Sequence, residues 1–361
     1  MMQTPTRTGR APAQDTATNG DRAAATRAFL KAAGWAEAQR RPLAGDASNR
    51  RYERLHHPRH GAAVLMDAPP ERGEDVRPFL RIGAHLADLG LSAPRVFAGD
   101  EALGLLLLED LGDDLYARVL TRDPALERPL YEAATDVLIS LAQSRPPAPI
   151  EDYDARHMAE AASLVISWYR RALTGQEDPD LEQTFQDEVE RACLEHCQGP
   201  RSIALRDFHA ENLLWLPERQ GEARVGLLDF QDATTAHPAY DLVSLLEDAR
   251  RDVPEALSDA MTDRFLKATG FDRADFLRAR DTLSAQRNLR ILGVFARLGL
   301  RDGKPHYLAF VPRVWNLLQR DLRHPALADL RASVERHLPE PTPDILKGLA
   351  NRCQPAVQTA S

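Results

Sequence analysis

The chain has 361 residues, 43% of them hydrophobic and 28% charged, and 46 basic against 54 acidic side chains give it a formal charge of −8. This is the composition of a folded protein of two domains or a bilobed enzyme, with enough chain to bury a sizeable core, and it excludes disorder as the dominant state. The negative balance argues against a sequence-independent nucleic-acid binder, which needs a positive field to displace counterions from phosphates.

The opening stretch, MMQTPTRTGRAPAQDTATNG, has no apolar period, so residues 1–22 are expected to form a disordered tail. A helix is predicted over 23–34, where Phe29, Leu30 and Ala33 share a face. PLAGDASNRRYERL then reads as a hairpin with Gly45-Asp46-Ala47-Ser48 as its turn. A third strand covers Ala62 to Ala68 and stops at Pro69-Pro70. The next segment, EDVRPFLRIGAHLADLG, places Val76, Phe79, Leu80, Gly83 and Leu86 at helical spacing. Pro94 to Phe97 and Gly104 to Leu108 are two more strands, the second a buried one. Together these elements make a small α+β part, 23–112.

Beyond Gly112 helical patterns dominate, at about 126–143, 157–173, 181–197, 240–250, 255–269, 273–297 and 307–322. Two short apolar runs lie between them, Ser202 to Leu205 and Val225 to Leu228, each leading into an aspartate. The helical part is expected over 113–340. From 341 to 361 prolines and a polar end predict a loosely packed tail.

No window approaches the roughly 18 uninterrupted apolar residues of a membrane span, and the N-terminus lacks an apolar export segment. Cys193, Cys197 and Cys353 are an odd number in a long chain, which suits a reducing cytoplasm rather than a disulfide framework. On these grounds neither a membrane nor a nucleic acid is an expected partner, and no protein partner is legible.

The chemistry is concentrated in two motifs. In SIALRDFHAENLLW a strand-like run delivers Asp207, followed by His209 and Asn212; in VGLLDFQDA another delivers Asp229. Two strands that each end in Asp, with an Asn five residues after the first, bring three hard oxygen donors within reach of one another. Such donors suit Mg²⁺, which takes few protein ligands and leaves positions for phosphate oxygens. In phosphoryl transfer one Asp orients the attacking hydroxyl and accepts its proton, while the Asn and the other Asp hold the metal. Taken singly, each Asp reads equally well as a turn or helix cap. No G-x-x-x-x-G-K-[ST] occurs, which excludes a P-loop ATPase.

These motifs resemble those of the aminoglycoside-phosphotransferase family of small-molecule kinases, whose fold is protein-kinase-like. RDFHAEN is similar to that family's catalytic loop, H-G-D-x-H-x-x-N, and LLDFQDA to its metal-binding strand end. Within the family, LAGDASNRRYERL, VLMDAPP, LLLEDLG, YDLVSLLEDAR and QRNLRILGVFARL resemble most the anomeric amino-sugar kinases of cell-wall recycling. The resemblance implies an α+β, bilobed fold with a small β-rich N-lobe and a mostly helical C-lobe. It also implies ATP and Mg²⁺, and an amino-sugar substrate, N-acetylmuramate or N-acetylglucosamine, phosphorylated at C1. Asp207 matches the catalytic base, and Asn212 and Asp229 match the metal ligands. Ser48, Asn49 and Arg51 fall where the family covers the phosphates, and Glu109 to Leu111 match the hinge segment that meets the adenine. His209, Arg250 and Arg287 are candidate substrate contacts.

Two departures stand out. Leu205-Arg206 precede Asp207 where the family has His-Gly. The third strand carries Met66 near the place of the usual phosphate-gripping lysine, and no lysine exists between Lys31 and Lys267. Arg50 or Arg51 is the expected substitute. Alternative readings remain a kinase of an aminoglycoside, choline or homoserine, or an inactive nucleotide-binding pseudokinase. Cys193 and Cys197, four apart on a helix, read as a packing face rather than a metal site.

Overall fold

The computed structural model describes residues 14–43 and 49–353. They fall into two compact units, one running to Gly83 and resuming over Pro94–Gly112, the other formed by Ala84–Ala93 and the chain from Asp113. The expected turn at Gly45 to Ser48 and the extreme termini lie outside the described residues.

The N-terminal unit is built on helix α1 (Gln14–Ala32) and strands β1 (Gln39–Pro42), β2 (Arg51–His57), β3 (Gly61–Asp67), β4 (Val96–Asp100) and β5 (Leu105–Glu109), with α2 (Arg77–Asp88) following β3. The strands form one antiparallel sheet in the order β1-β2-β3-β5-β4. The hairpin read from sequence is present, with Pro42 opposite Glu53 and Gln39 opposite His56. In β5 the alternation of a strand sends Leu105 and Leu107 to one face, where Phe29, Leu30, Trp35, Leu55, Ala63 and Leu65 complete a core. Leu106 and Leu108 point the other way and are equally buried, which is why this strand reads as an unbroken apolar run.

Gly104, before β5, has φ +65°, and a Cβ there would lie 2.0 Å from the Ala68 carbonyl oxygen, so no other residue fits the turn. The first helix begins at Gln14 rather than near 23. Arg22, expected in the tail, donates from Nε and Nη2 to Asp67 Oδ1 at 3.0 and 2.5 Å and ties α1 to β3.

The second unit is mostly helical: α3 (Tyr116–Arg122), α4 (Glu127–Gln143), α5 (Ala155–Leu164), α6 (Arg171–Thr174), α7 (Pro179–His196), α8 (Ala239–Leu246), α9 (Glu255–Thr269), α10 (Arg273–Leu300), α11 (Val311–Asp321), α12 (Ala328–His337) and α13 (Pro343–Arg352). A π-helical turn, Val165–Arg170, joins α5 to α6. Asp154, Asp178 and Asp272 accept from backbone N–H groups at the starts of α5, α7 and α10, the usual way to satisfy a helix's first donors. Helix α10 runs through the unit, packed on α5, α7, α8 and α11. Strands β6 (Ser202–Ala204) and β9 (Thr234–Ala236) pair antiparallel, as do β7 (Leu213–Trp215) and β8 (Val225–Leu227).

The predicted loose C-terminal tail is corrected: Thr342 caps α13 by accepting from the Ile345 N–H, and Leu349 is buried. Pro343 sits at the first helical position, where its missing N–H costs nothing.

Gly293 on α10 lies tight against the backbone at the end of α5. A Cβ there would lie 2.4 Å from the Leu164 carbonyl carbon, backbone that cannot swing aside. Gly293→Ala gains up to about 1 kcal/mol of helix propensity, but the forced separation of α10 from α5 costs more, typically about 1–3 kcal/mol and higher against backbone. A lower Tm in thermal unfolding is the expected result, and an unchanged or higher Tm would contradict this packing.

Candidate active site

Both apolar runs of the second unit are short strands that stop where the chemistry begins. After β6 the chain turns sharply: the Asp207 N–H donates to the Leu205 carbonyl at 2.9 Å, and Arg206 between them adopts φ +70°. That left-handed conformation costs a side-chain-bearing residue energy and has to be held by its surroundings. Asp241 on α8 holds it, accepting the Leu205 and Arg206 N–H groups at 2.5 and 2.9 Å. Ser244, one turn on, donates Oγ to the Arg206 carbonyl at 3.1 Å. Arg287 on α10 donates Nη2 to Ser244 Oγ at 2.8 Å and Nη1 to the Glu247 carbonyl at 3.5 Å, so two helices brace the loop from behind.

Asn212 closes the other side, its side-chain Nδ2 donating to the Asp207 carbonyl at 3.0 Å and its N–H to the His209 carbonyl at 2.9 Å. Its own carbonyl accepts from the Leu228 N–H at 3.0 Å, which registers the end of β8 against the loop one residue before Asp229. Asp229 also has a left-handed φ, +56°, and its Oδ1 accepts from Gln231 Nε2 at 2.7 Å. The structure therefore brings Asp207 and Asn212 into direct contact and Asp229 beside them.

The electrostatics favour an ionised Asp207. Burial pushes its carboxyl up, but the guanidinium groups of Arg290, Arg287 and Arg206 together hold it below the ordinary aspartate range. Asp241 behaves oppositely: complete burial, aided by the Asp207 charge, pushes it up to about 7 against the pull of its two backbone donors.

The remaining substrate candidates occupy distinct settings. His209 is buried, its Nδ1 accepts from the Glu211 N–H at 3.3 Å, and desolvation lowers its pKa to about 4 despite the Asp248 carboxylate. It is a neutral imidazole inside the loop. Arg250 pairs with Glu211 at 2.8 Å, which ties the segment after α8 to the loop's outer side. Arg287, only 4% exposed, is spent on Ser244 and Glu247 and works behind the loop rather than in the open.

In the N-terminal unit, Ser48 lies outside the described residues. Asn49 donates its N–H to Glu74 Oε1 at 3.0 Å and its Nδ2 to the Arg72 carbonyl at 3.1 Å, anchoring the end of the hairpin loop. Arg50, one of the two expected phosphate grips, pairs with Glu74 at 2.8 Å. Arg51, the other, is exposed at the start of β2 and in register with Asp67. Glu109 ends β5, accepting from the Arg95 N–H and Nη2 at 3.3 and 3.1 Å while its own N–H reaches the Arg95 carbonyl. Leu111 is half-buried in the turn that follows, where the Gly112 N–H donates to Asp110.

Sequence reading missed Asp241, Arg206 and Arg290 as parts of the site. For Asp241 a signal existed: a lone carboxylate inside the apolar run AYDLVSLL has to be buried with partners.

Among the described residues, no group of three or more His, Cys, Asp or Glu side chains is placed to hold a metal ion, and no helix is long and apolar enough to cross a membrane. Asn212 spends its amide nitrogen on Asp207, which leaves its side-chain oxygen for a cation, and the Leu228 N–H bond to the Asn212 carbonyl brings the chain of Asp229 alongside. Two hard oxygens fit a divalent cation whose other positions are taken by phosphate and water.

Residues 39–280 match the phosphotransferase enzyme family. A Caulobacter vibrioides protein named N-acetylmuramate/N-acetylglucosamine kinase is 40% identical over 364 residues, covering 90% of this chain and 99% of its own. A Pseudomonas aeruginosa protein of the same name is 36% identical over 83% of this chain and 89% of its own. Among solved structures, an amicoumacin kinase in complex with AMP-PNP and Ca²⁺ shares the fold with a TM-score of 0.57 and 16% identity, covering 87% of this chain and 99% of that one.

Proposed function

The chain belongs to the phosphotransferase enzyme family, and from that premise we propose that it transfers the γ-phosphoryl group of ATP to the anomeric C1 hydroxyl of N-acetylmuramate, N-acetylglucosamine or both. The observation that carries the reaction type is the Asp207 loop, an ionised carboxylate on a strained turn held by Asp241, Ser244 and Asn212. The sugar comes from the relatives that match along most of this chain.

On this reading Asp207 orients the C1 hydroxyl and takes its proton as the oxygen attacks. The new bond joins O1 to the γ-phosphorus, the bond from the γ-phosphorus to the bridging oxygen breaks, and ADP leaves. Orientation is the larger task, because phosphoryl transfer needs little covalent help from the protein. Asn212 and Asp229 would hold a divalent cation, Mg²⁺ in a cell, whose charge offsets that of the phosphates when it is bound. Asn49, Ser48, Arg51, Glu109 and Leu111 are assigned to the nucleotide. Arg50 is held by Glu74, so any arginine grip falls to Arg51. His209 shapes the loop from within, and Arg250 flanks it. The cytoplasm, where ATP and recycled wall sugars meet, is the compartment this chemistry requires.

ADP release with ATP and Mg²⁺ against a panel of N-acetylmuramate, N-acetylglucosamine, an aminoglycoside, choline and homoserine tests the reading. Acetylated amino sugars are expected to drive turnover and the other three not to. Fastest turnover with any of those three would replace the proposed substrate, and ATP binding without turnover on any acceptor would favour a pseudokinase.

A further inference from the structure

Gln231 is a buried amide two residues beyond Asp229, only 6% exposed, and its Nε2 donates to Asp229 Oδ1 at 2.7 Å. The backbone brings the two side chains together. Asp229 turns through a left-handed φ of +56°, and the Ala233 N–H donates to the Phe230 carbonyl at 3.0 Å, so the segment folds back on itself at once. Its two ends are pinned. Before it, the Leu228 N–H reaches the Asn212 carbonyl at 3.0 Å; after it, Thr234 opens β9 opposite Ala204, on the strand that leads to Asp207. Phe230, between the two polar residues, is fully buried and anchors the connection.

A buried amide needs a partner, and for packing alone any acceptor of the interior would serve. Here the partner is the carboxylate assigned above to the cation. A charge-assisted hydrogen bond of this length fixes how the carboxylate is turned and draws on the electron density of Oδ1, which makes that oxygen the poorer cation ligand. Coordination then falls to one oxygen. The difference matters between two cations: Mg²⁺ demands a tight octahedron that a two-oxygen bite distorts, whereas Ca²⁺ readily takes both oxygens of one carboxylate. We propose that Gln231 is a positioning residue that presents Asp229 as a one-oxygen ligand and so biases the site toward Mg²⁺ over Ca²⁺. The inference rests on the reading of Asn212 and Asp229 as cation ligands and adds what sets the preference among cations.

The test measures binding of the non-hydrolysable ATP analogue AMP-PNP by titration calorimetry without divalent cation, with Mg²⁺ and with Ca²⁺, in the wild type, Gln231→Met and Gln231→Asn. No acceptor is present. Methionine keeps the volume and loses the donor, while asparagine keeps an amide that is one methylene too short to reach Oδ1. Two replacements guard against a loss of fold in either, which Tm reports. In both variants the metal-free affinity is expected to stay within about twofold of wild type, while the gain from Mg²⁺ falls about tenfold or more, the usual cost of losing a contact behind a metal ligand. The gain from Ca²⁺ should fall by no more than about threefold, which narrows the wild-type preference for Mg²⁺. A loss of affinity equal with and without metal would make Gln231 a packing residue and overturn the proposal. So would an unmoved Mg²⁺ gain, or equal falls for Mg²⁺ and Ca²⁺. A wild type whose AMP-PNP binding ignores Mg²⁺ overturns the cation reading itself, a distinct outcome, and the choice of sugar is untouched by any of these results.

Discussion

Asp207→Asn is expected to remove turnover while leaving ATP binding close to normal. Asparagine keeps the shape and can still contact the acceptor hydroxyl, but its amide has no basicity toward the departing proton. General-base loss commonly costs about 10²–10⁴-fold in rate. The surroundings sharpen the effect, because Arg290, Arg287 and Arg206 are arranged around a negative charge that the amide no longer supplies. The backbone contacts of the loop, from Asp241, Ser244 and Asn212, do not involve the Asp207 side chain and survive the change. Steady-state kinetics with nucleotide titration on the same preparation reads both halves. Activity within a few-fold of wild type would remove Asp207 from the role of base.

The second large effect is expected at Asp241, which never meets substrate. Asp241→Ala leaves the Leu205 and Arg206 N–H groups buried without acceptors, at about 1–3 kcal/mol each, and releases the strained φ of Arg206. A Tm lowered by several degrees should accompany a loss of kcat of about 100-fold or more, since a small displacement of a catalytic group is costly. Asp241→Asn keeps one oxygen acceptor and should fall between. The pH dependence has a defined sign. A carboxyl pushed from 3.8 to about 7 in the fold holds its proton where the unfolded chain has lost it. Its contribution to stability is therefore greatest below about pH 4 and declines as pH rises toward 7. The stability deficit of Asp241→Asn should shrink over that range. A deficit that grows with pH would show that the carboxyl is not shifted upward.

The parts of this architecture that could be read in the sequence are those with a local cause. Four leucines between Gly104 and Glu109 announce a strand buried on both faces, and Ser202–Leu205 and Val225–Leu228 announce where Asp207 and Asp229 emerge. Asp154, Asp178 and Asp272 mark helix starts because a short acceptor beside an apolar period has little else to do there. Strand β9, three residues long, carries no period to detect. Helix α12 was overlooked although Leu330, Val334 and Leu338 repeat every four residues, and α13 was hidden by prolines, of which Pro343 is itself a start signal.

The bracing of the catalytic turn was illegible for a different reason. Asp241 and Arg290 reach it from α8 and α10, far along the chain, and only packing brings them there. The left-handed φ of Arg206 follows from that packing and contradicts its own side chain, so no local rule predicts it. Arg50 shows the converse: a spare cation in the sequence that the fold commits to Glu74.

The most direct test of the central claim is the position of the new phosphate on the sugar. Incubating the protein with ATP, Mg²⁺ and N-acetylmuramate or N-acetylglucosamine, then recording phosphorus NMR with proton coupling, should show a phosphate coupled to the anomeric proton. That product requires Asp207 to address the C1 hydroxyl. A phosphate coupled instead to the C6 methylene protons, or ATP hydrolysed with no phosphosugar formed, would contradict the account.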